Sequence, residues 1–442
     1  MGVSSAMKHF IARTGFDMQR RKLDQESRKR GDDPWQDSEI VPLTPSQWEF
    51  VKQEKASPRT GINNIAGALV IDDSTDVDLF REAINTVIKN NDGMRIVFTQ
   101  EGESLSQYAA RFEPLNTPVL SFDSEESMRQ YCDSEKRKPF GSFIDQDICK
   151  EIDIFRLSDG RGGLIIREHH MRNDAVGSVA FLVYVMDVYE HLKKGTKNYE
   201  GVRTSFIDYA RNPKVRGTER VDHIDPIDCS STRTEFMMTR EGTARIKKVC
   251  ENLGRSVGLN IRPSKLFELG NAIFIGQRNG NSERITLDGL ATGRTPKTSE
   301  SLTIGMFTHG QPLTMYLDWK RSVKDNIVNA KKRARGLLGT PDYSSSSDPS
   351  DTISISFRSE IGILKDLFKT PFRIYESPRD YSPIPLFMQI EDMNETGSYN
   401  VFYDAWNALY TREQIEERHT VVMSIINQMV GNPDMILKDL LV

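Results

Sequence analysis

Cysteine is scarce in this chain, and its few copies are far apart. The four cysteines are Cys132, Cys149, Cys229 and Cys250. None of them belongs to a CxxC pair, which argues against a disulfide scaffold or a zinc ribbon. We therefore expect a fold whose stability comes from a hydrophobic core, with no bound metal.

Long apolar runs are also lacking. The most apolar stretch, 175–189, is interrupted by Asp187, and it is shorter than the roughly 18 apolar residues that a membrane-spanning helix needs. No apolar secretory segment follows Met1, although a secreted protein would begin with one. These patterns predict a cytoplasmic protein without membrane contact.

Neither sign of charge dominates the composition. Lys and Arg number 59 against 63 Asp and Glu, which leaves a net charge of −4 over 442 residues. Nucleic-acid-binding proteins usually present a strongly basic face, so nucleic acid is not an expected partner. The length corresponds to two or three domains, or to one large pseudo-symmetric fold.

Residues 1–40 differ from the rest by two basic clusters, 20–22 and 28–30, which precede Gly31. One interpretation is a docking arm for an acidic partner such as a carrier protein. The other is a solvated helix whose charges only keep it in water, and this second interpretation is preferred because charge runs are usually surface features. Either way, the segment is predicted to be an extension of the folded part.

Strands and helices alternate after the extension. An apolar run at 66–71 predicts a strand, and apolar residues at helical spacing from Val77, with Asp76 as N-cap, predict a helix. A further strand is predicted at 94–98. Such strand–helix–strand units favour the α/β class.

The second half continues the alternation after a polar segment, 212–228, that is predicted to be a linker. A helix is expected at 243–253, ended by Gly254. The last helix begins clearly, because Thr411 with Gln414 three residues later forms a capping-box pattern.

One group of residues has the composition of a catalytic site. The string 169–175 reads His-His-Met-Arg-Asn-Asp-Ala, and it joins a predicted strand at 163–167 to an apolar helix that starts near Ala175. Imidazole can accept a proton near neutral pH. Successive side chains of a strand point to opposite faces, so only one of His169 and His170 can face a given cleft. Asp174 can cap the helix and also anchor an arginine.

Less specific readings of the same residues compete with catalysis. Two histidines packed in the core are as plausible as a catalytic pair from these residues alone, and Asp174 could be only an N-cap. A zinc site is disfavoured because the HExxH spacing is missing and no cysteine is near. A serine triad is disfavoured because Ser178 lacks the GxSxG elbow.

The string 169–175 resembles the HHxxxDG signature of condensation domains of nonribosomal peptide synthetases, in the chloramphenicol-acetyltransferase-like superfamily. Other elements agree with that family in order and spacing. Segment 42–47 resembles its PLSPAQ-type element, 94–98 its LRTxF element, 206–210 its YxDYA element and 304–307 the start of its IGxFVNT element, with Gly293 and Arg294 just upstream. The similarity extends from about residue 41 to the C-terminus.

Three departures from the family pattern stand out. Ala175 replaces the motif glycine, and its methyl group is expected beside the active loop, where it would narrow the channel or change the acceptor. Thr308 and His309 replace the usual Val-Asn pair, and the HxDVPFE-like element is not recognisable. No GGxS carrier motif and no adenylation-type phosphate loop are present, so a free-standing condensation enzyme is expected.

The resemblance implies an α/β fold of two chloramphenicol-acetyltransferase-like lobes, each a mixed sheet with helices, arranged as a V with a central tunnel. The extension would be 1–40, the N-terminal lobe with the histidine motif 41–215, and the C-terminal lobe 216–442. By the same resemblance His170 is the catalytic residue, acting as general base or orienting the nucleophile. His169, Asp174 and Ala175 are then structural.

Asp174 is expected to pair with an arginine. Arg95 is the first choice, since it matches the LRTxF arginine and lies in the same predicted lobe, and Arg294 is the alternative. The resemblance supplies no metal ligand.

The resemblance implies condensation of a carrier-protein-bound acyl or aminoacyl thioester with an amine, or less readily a hydroxyl, in natural-product biosynthesis. An acyl or peptidyl carrier protein would supply a phosphopantetheine arm, and no cofactor would be bound covalently. The acceptor would be a small amine or alcohol, free or carrier-bound. Two alternatives stay open: an acyl-CoA-dependent acyltransferase, and a non-catalytic module that recruits carrier proteins. A monomer is expected.

Overall fold

Helices and strands alternate along most of the chain. The computed structural model of the protein describes residues 33–102, 104–140, 150–213, 227–294, 299–334, 353–358, 367–392 and 397–440. The helices of these ranges are α1 (Pro45–Ala56), α2 (Val77–Asn90), α3 (Glu125–Arg137), α4 (Ala175–Lys193), α5 (Ile207–Ala210), α6 (Arg240–Val257), α7 (Ser264–Arg278), α8 (Val323–Ala334) and α9 (Arg412–Gly431). The strands are β1 (Val41–Pro42), β2 (Asn64–Ile71), β3 (Ile96–Glu101), β4 (Ser104–Ala109), β5 (Val119–Phe122), β6 (Lys150–Leu157), β7 (Gly162–His169), β8 (Ser231–Met237), β9 (Arg284–Ala291), β10 (His309–Tyr316), β11 (Ser354–Arg358), β12 (Phe372–Glu376), β13 (Leu386–Glu391) and β14 (Asn400–Trp406).

The described residues fall into two compact units. The first lies within Met1–Ile227, Thr292–His309 and Glu360–Pro378, and the second within Asp228–Ala291, Gly310–Ser359 and Arg379–Val442. The predicted division into 41–215 and 216–442 is therefore incomplete, because two later segments belong to the first unit. Strand β12 shows why, since it pairs with β2 from Phe372 opposite Ile71 onward. Consecutive stretches of sequence cannot reveal such a long-range pairing.

The predicted extension, 1–40, is only partly separate from the fold. Its basic clusters, 20–22 and 28–30, lie outside the described residues. From position 33 onward the chain runs along β4, where the Ser38 N–H donates to the Ala109 carbonyl at 2.8 Å and the Phe112 N–H donates to the Pro34 carbonyl at 2.7 Å. The residues from 33 onward are therefore part of the first unit.

The main sheet of the first unit has five strands in the order β12-β2-β7-β6-β5. Strands β5 and β6 run parallel, and the other neighbours run antiparallel. The sheet is therefore mixed, which confirms the predicted α/β class. Strand β7 lies at its centre and is buried at every position but one. A strand buried on both faces is held firmly on each side, so the residues at its end have a well-defined position.

Helix α4 follows β7, and more than half of its residues are buried. It begins as predicted at Ala175, with the Asp174 carboxylate accepting the Gly177 N–H at 2.8 Å, and Gly195 follows its end with φ +76°. With 19 residues it is long and apolar enough to cross a membrane, so the expectation that no stretch qualifies was wrong. Of its most apolar 18-residue window 61% is buried inside the protein, which is typical of a core helix.

The second unit is built on a six-stranded sheet in the order β10-β9-β11-β13-β14-β8. Strand β11 runs parallel to β9 and β13, whereas β14 runs antiparallel to both neighbours. Helix α9 packs closely on α7, where a Cβ on Gly270 would lie 2.8 Å from Ile426 Cγ1. The predicted capping box of Thr411 and Gln414 is confirmed.

Helix α6 is longer than predicted. It runs through Gly254 and ends at Val257, where Gly258 has the left-handed φ of +64°. Gly254 is needed for a different reason: a Cβ there would lie 2.6 Å from the Leu259 carbonyl oxygen. The sequence analysis thus interpreted Gly254 as a helix stop, whereas its role is to let the Leu259 carbonyl approach the helix closely.

A partly buried histidine is expected to make the second unit sensitive to acid. The ring of His419 in α9 stacks on Phe236 with centroids 3.7 Å apart and planes 5° apart. Burial lowers the pKa of His419 from 6.5 to about 4, because a desolvated ring holds a positive charge poorly.

We expect the free energy of unfolding to fall as the pH drops from 6.5 towards 4. Over this window the unfolded chain binds a proton at His419 and the folded chain does not, so acid favours unfolding by up to about 3 kcal/mol. Urea unfolding at pH 4.5 and pH 7 measures the effect. His419→Gln should reduce the difference between the two midpoints, and an equal difference in variant and parent would contradict the assignment.

Candidate active site

The central strand of the first unit ends at the two histidines. His169 is the last residue of β7 and pairs with Asn64 of β2, and the His170 N–H donates to the Asn63 carbonyl at 2.7 Å. His169 is buried, with 2% of its surface exposed, whereas His170 is partly exposed. The two neighbours therefore occupy different environments, and His170 is the more accessible.

Hydrogen bonds determine the tautomer of His169. The Met171 N–H donates to Nδ1 of His169 at 3.1 Å, so Nδ1 carries the lone pair. Nε2 therefore carries the proton, and it lies 3.1 Å from the Glu54 carboxylate, which accepts it. Both ring nitrogens of His169 are therefore engaged within the protein.

The His170 ring lies against α1. It stacks on Phe50 with centroids 4.8 Å apart and planes 25° apart. Its Nδ1 atom is buried, while the residue as a whole keeps some exposed surface. Because Nδ1 is shielded from solvent, Nε2 is the nitrogen through which a substrate could exchange a proton.

Residues after the histidines hold the loop against its surroundings. Arg172 is fully buried and donates from Nη2 to the Gly93 carbonyl at 3.2 Å. The Asn173 side-chain oxygen accepts the Gly305 N–H at 3.2 Å, and its Nδ2 donates to Glu168 Oε1 at 3.2 Å. The loop therefore contacts two parts of the first unit that are distant in sequence, at Gly93 and Gly305, and the end of the preceding strand at Glu168.

Asp174 is the most heavily bonded residue of the loop. Its carboxylate, 1% exposed, accepts five hydrogen bonds. The donors are the Gly177 N–H, Arg294 Nη2, the Phe307 N–H, the Thr308 N–H and the Thr308 hydroxyl. Asp174 is thus both the N-cap of α4 and the anchor of the segment Thr292–His309, instead of only one of these.

Arg294, the second choice in the sequence analysis, is the arginine that pairs with Asp174. Its Nη2 lies 2.6 Å from Asp174 Oδ1, and its guanidinium covers the Phe307 ring at 4.1 Å. Arg95 was the wrong first choice, because its guanidinium donates to the carbonyls of Ile88 and Ala110. The error arose because Arg294 lies far along the chain, while its segment folds into the first unit.

The glycine that this loop requires is at position 177. A Cβ on Gly177 would lie 2.0 Å from the Asn173 side-chain oxygen and 2.9 Å from the Gly305 nitrogen. Ala175, which replaces the motif glycine, is exposed at the first residue of α4. Its methyl group is therefore not forced against the loop, and the expectation that it would crowd the site has no support in these contacts.

Charged side chains that the sequence analysis missed lie next to the loop. Lys150 donates from Nζ to the Met94 carbonyl at 2.6 Å, and burial together with the Arg172 cation holds its pKa well below the usual range. Burial raises the pKa of Glu168, with Arg172 acting in the opposite direction. Glu168 directly precedes the string 169–175 and Arg172 lies within it. Charged residues next to a strand predicted to be buried were therefore the signal that could have identified them. Lys150 had no such signal, since only the sheet brings it near.

Tyr209 of α5 is a second residue that was not singled out, although it lies in the YxDYA-like segment. Its ring packs on Phe307 at 4.2 Å, and burial raises its pKa to about 12. Its hydroxyl is buried and has no hydrogen-bond partner within the described residues. Such a group costs stability that an apolar side chain would not.

The described residues contain no group of three or more His, Cys, Asp or Glu side chains that could hold a metal ion. The described cysteines, Cys132, Cys229 and Cys250, are buried and form no disulfide with one another. The end of β7 presents an imidazole, that of His170, on a hydrogen-bonded loop.

Comparison with known proteins agrees with this arrangement. The family model described as the condensation domain matches residues 37–222, a range that contains both histidines and Asp174. The chain is 21% identical over 441 residues to surfactin synthase subunit 1 of Bacillus subtilis (strain 168). Residues 37–222 are therefore similar to a condensation domain. The alignment covers 91% of this chain and 12% of the surfactin synthase subunit, so the chain spans about an eighth of that protein's length.

Solved structures of condensation domains share the fold of this chain. The condensation domain from monacolin K polyketide synthase MokA matches with a TM-score of 0.71 at 13% identity, over 91% of this chain and 100% of that one. A variant of the starter condensation domain of rhizomide synthetase RzmA, in complex with C8-CoA, matches with a TM-score of 0.70 at 13% identity, over 90% and 97% of the two chains. At such identities the likeness concerns the fold.

Replacing Asp174 by Ala should destabilise the first unit by about 3–5 kcal/mol, because Arg294 would be left as an uncompensated buried charge. Chemical denaturation measures the loss. The double variant Asp174→Ala with Arg294→Met should lose less than the sum of the two single variants, since the pair interacts directly. Additive losses, or an unchanged melting temperature in Asp174→Ala, would contradict a stabilising buried pair.

Tyr209→Phe should raise the free energy of unfolding by about 1 kcal/mol, since it removes a buried hydroxyl without a partner. Tyr189→Phe is the matched control, because the Tyr189 hydroxyl accepts the Asp76 N–H at 3.1 Å and its loss should destabilise by about the same amount. Urea unfolding of the two variants compares them. A destabilised Tyr209→Phe would show that the hydroxyl is satisfied.

Proposed function

We propose that this chain is an acyltransferase of the condensation type. The donor is an acyl or aminoacyl thioester on the phosphopantetheine arm of a carrier protein, and the acceptor is an amine or, less readily, a hydroxyl. The relation to condensation domains supports the class of reaction. The observation that carries the proposal for this chain is the partly exposed His170 on a loop whose polar side chains, those of Arg172, Asn173 and Asp174, are buried and hydrogen-bonded.

His170 is proposed as the general base. As the acceptor nitrogen attacks the thioester carbonyl carbon, one of its protons passes to Nε2 of His170 and the carbonyl electrons move onto oxygen. When the tetrahedral intermediate collapses, the C=O bond re-forms and the C–S bond breaks. The leaving thiolate then takes the proton from the imidazolium, so the products are an amide and a free thiol, and His170 is neutral again.

The surrounding residues keep the base in place. The pair of Asp174 and Arg294, with a distance of 2.6 Å between Oδ1 and Nη2, ties the loop to Thr292–His309. Phe50 stacks on the His170 ring and limits its rotation. Rigid placement of the base favours proton transfer without reorganisation of the protein, which is a main source of catalysis in two-substrate reactions.

Turnover can be tested by incubating the full chain with acyl-loaded carrier protein and candidate amines and following the product by intact mass. His170→Ala should lower the rate by about 10²–10⁴-fold, the usual contribution of a general base. His419→Gln is the control, since its ring lies in the second unit. Undiminished product with His170→Ala would reject the assigned role.

The same assay separates the alternatives. The solved relative in complex with C8-CoA makes acyl-CoA the donor to compare. Turnover of acyl-CoA without turnover of the carrier-bound thioester would favour an acyl-CoA-dependent acyltransferase. Binding of the carrier protein without any transfer would favour a non-catalytic recruitment module.

A further inference from the structure

One face of α1 contacts the histidine segment at three points. Gln47, Phe50 and Glu54 are spaced by three and four residues, so they share a face of the helix. Gln47 Nε2 donates to the Met171 carbonyl at 3.3 Å, Phe50 stacks on the His170 ring, and Glu54 accepts from His169.

His169 transmits the position of Glu54 to the backbone beside His170. Its Nε2–H reaches Glu54 at 3.1 Å, and its Nδ1 accepts the N–H of Met171, the residue after His170, at 3.1 Å. The N–H of His170 itself donates to the Asn63 carbonyl at 2.7 Å. Hydrogen bonds therefore hold the peptide groups on both sides of His170, which leaves only its side-chain torsions, and Phe50 limits those.

Glu54 is the point where these contacts meet. Besides His169, its Oε1 accepts Asn63 Nδ2 at 3.0 Å, and Asn63 Nδ2 also lies 3.3 Å from the Phe50 carbonyl. The Glu54 side chain is 16% exposed and that of His169 is 3% exposed. The same carboxylate thus engages the residues that hold the His170 backbone before and after it.

We propose that Glu54 is a positioning residue for His170, acting through the tautomer of His169. A carboxylate can only accept hydrogen bonds, so it stabilises the tautomer with the proton on Nε2 and leaves Nδ1 to accept the Met171 N–H. With no acceptor at position 54, the other tautomer would become available, and its Nδ1–H would point at the Met171 N–H. This inference rests on the proposed function for its effect on turnover, but the link from Glu54 to His169 stands on the contacts alone.

The test compares Glu54→Gln with Glu54→Leu. The glutamine oxygen can still accept the Nε2–H, so Glu54→Gln should keep turnover within about threefold of the parent. Glu54→Leu should lower kcat by about 10–100-fold with KM changed less than twofold, because a base displaced by a fraction of an ångström loses rate without losing substrate binding. Glu49, exposed on the same helix and paired with Lys52 at 2.7 Å, supplies matched controls in Glu49→Gln and Glu49→Leu.

A second readout does not depend on activity. Long-range ¹⁵N–¹H spectra of the histidine-labelled full chain should show a single tautomer for His169, with the proton on Nε2, in the parent, in Glu54→Gln and in both Glu49 variants. Glu54→Leu should show a mixture of tautomers. His169→Gln identifies the His169 signals.

The outcomes separate the two proposals. An unchanged His169 tautomer in Glu54→Leu, unchanged kcat, or a change confined to KM would overturn the positioning role. If Glu54→Leu fails to fold, a Glu54→Gln variant that shows full turnover and a mixed tautomer would overturn it as well. A parent chain without turnover on any thioester would reject the proposed function, while a tautomer change in the same samples would still support the link to His169.

Discussion

The hydrogen bonds and the ion pair of the Asp174 carboxylate are the interactions on which the first unit depends most. It is almost fully buried, and a buried carboxylate is tolerable only where hydrogen bonds and a countercharge replace the lost water. Here the N-terminus of α4, the Arg294 guanidinium, and the backbone of Phe307 and Thr308 supply both. The start of the core helix, the loop after the histidines and a segment from late in the chain are therefore joined at one group. Loss of that group would disturb all three.

The contrast between the two adjacent histidines follows from this rigid frame. Both lie at the end of a buried central strand. The two ring nitrogens of His169 form hydrogen bonds with Glu54 and with the backbone of Met171. His170 keeps partial exposure and rests on an aromatic face. A proton acceptor must be reachable and must also be held still. In the proposed function His170 would meet the first requirement, and its buried neighbour His169 would help to meet the second.

Local patterns in the sequence were enough to predict several helices and strands of the fold. The helix from Val77, the capping box of Thr411 and Gln414, and the start of α4 at Ala175 could be predicted, because caps and apolar spacing act within one or two turns of chain. Glycines were less informative. Gly254 and Gly177 are required by the close approach of other chain segments, and nothing in their immediate neighbours distinguishes this need from a helix stop or a motif position.

The histidine pair, its family resemblance and the α/β class were all available from the order of the residues, since each rests on neighbours in the chain. The partner of Asp174 was not. From the sequence, Arg294 and Arg95 are equally suitable cations to pair with Asp174. Only the folding of Thr292–His309 into the first unit brings Arg294 within 2.6 Å of the carboxylate. The sequence analysis missed the contacts of Lys150 and Glu54 with the histidine segment and its surroundings for the same reason. Charge pairing depends on distance in space, and folding sets that distance through contacts between residues far apart in sequence.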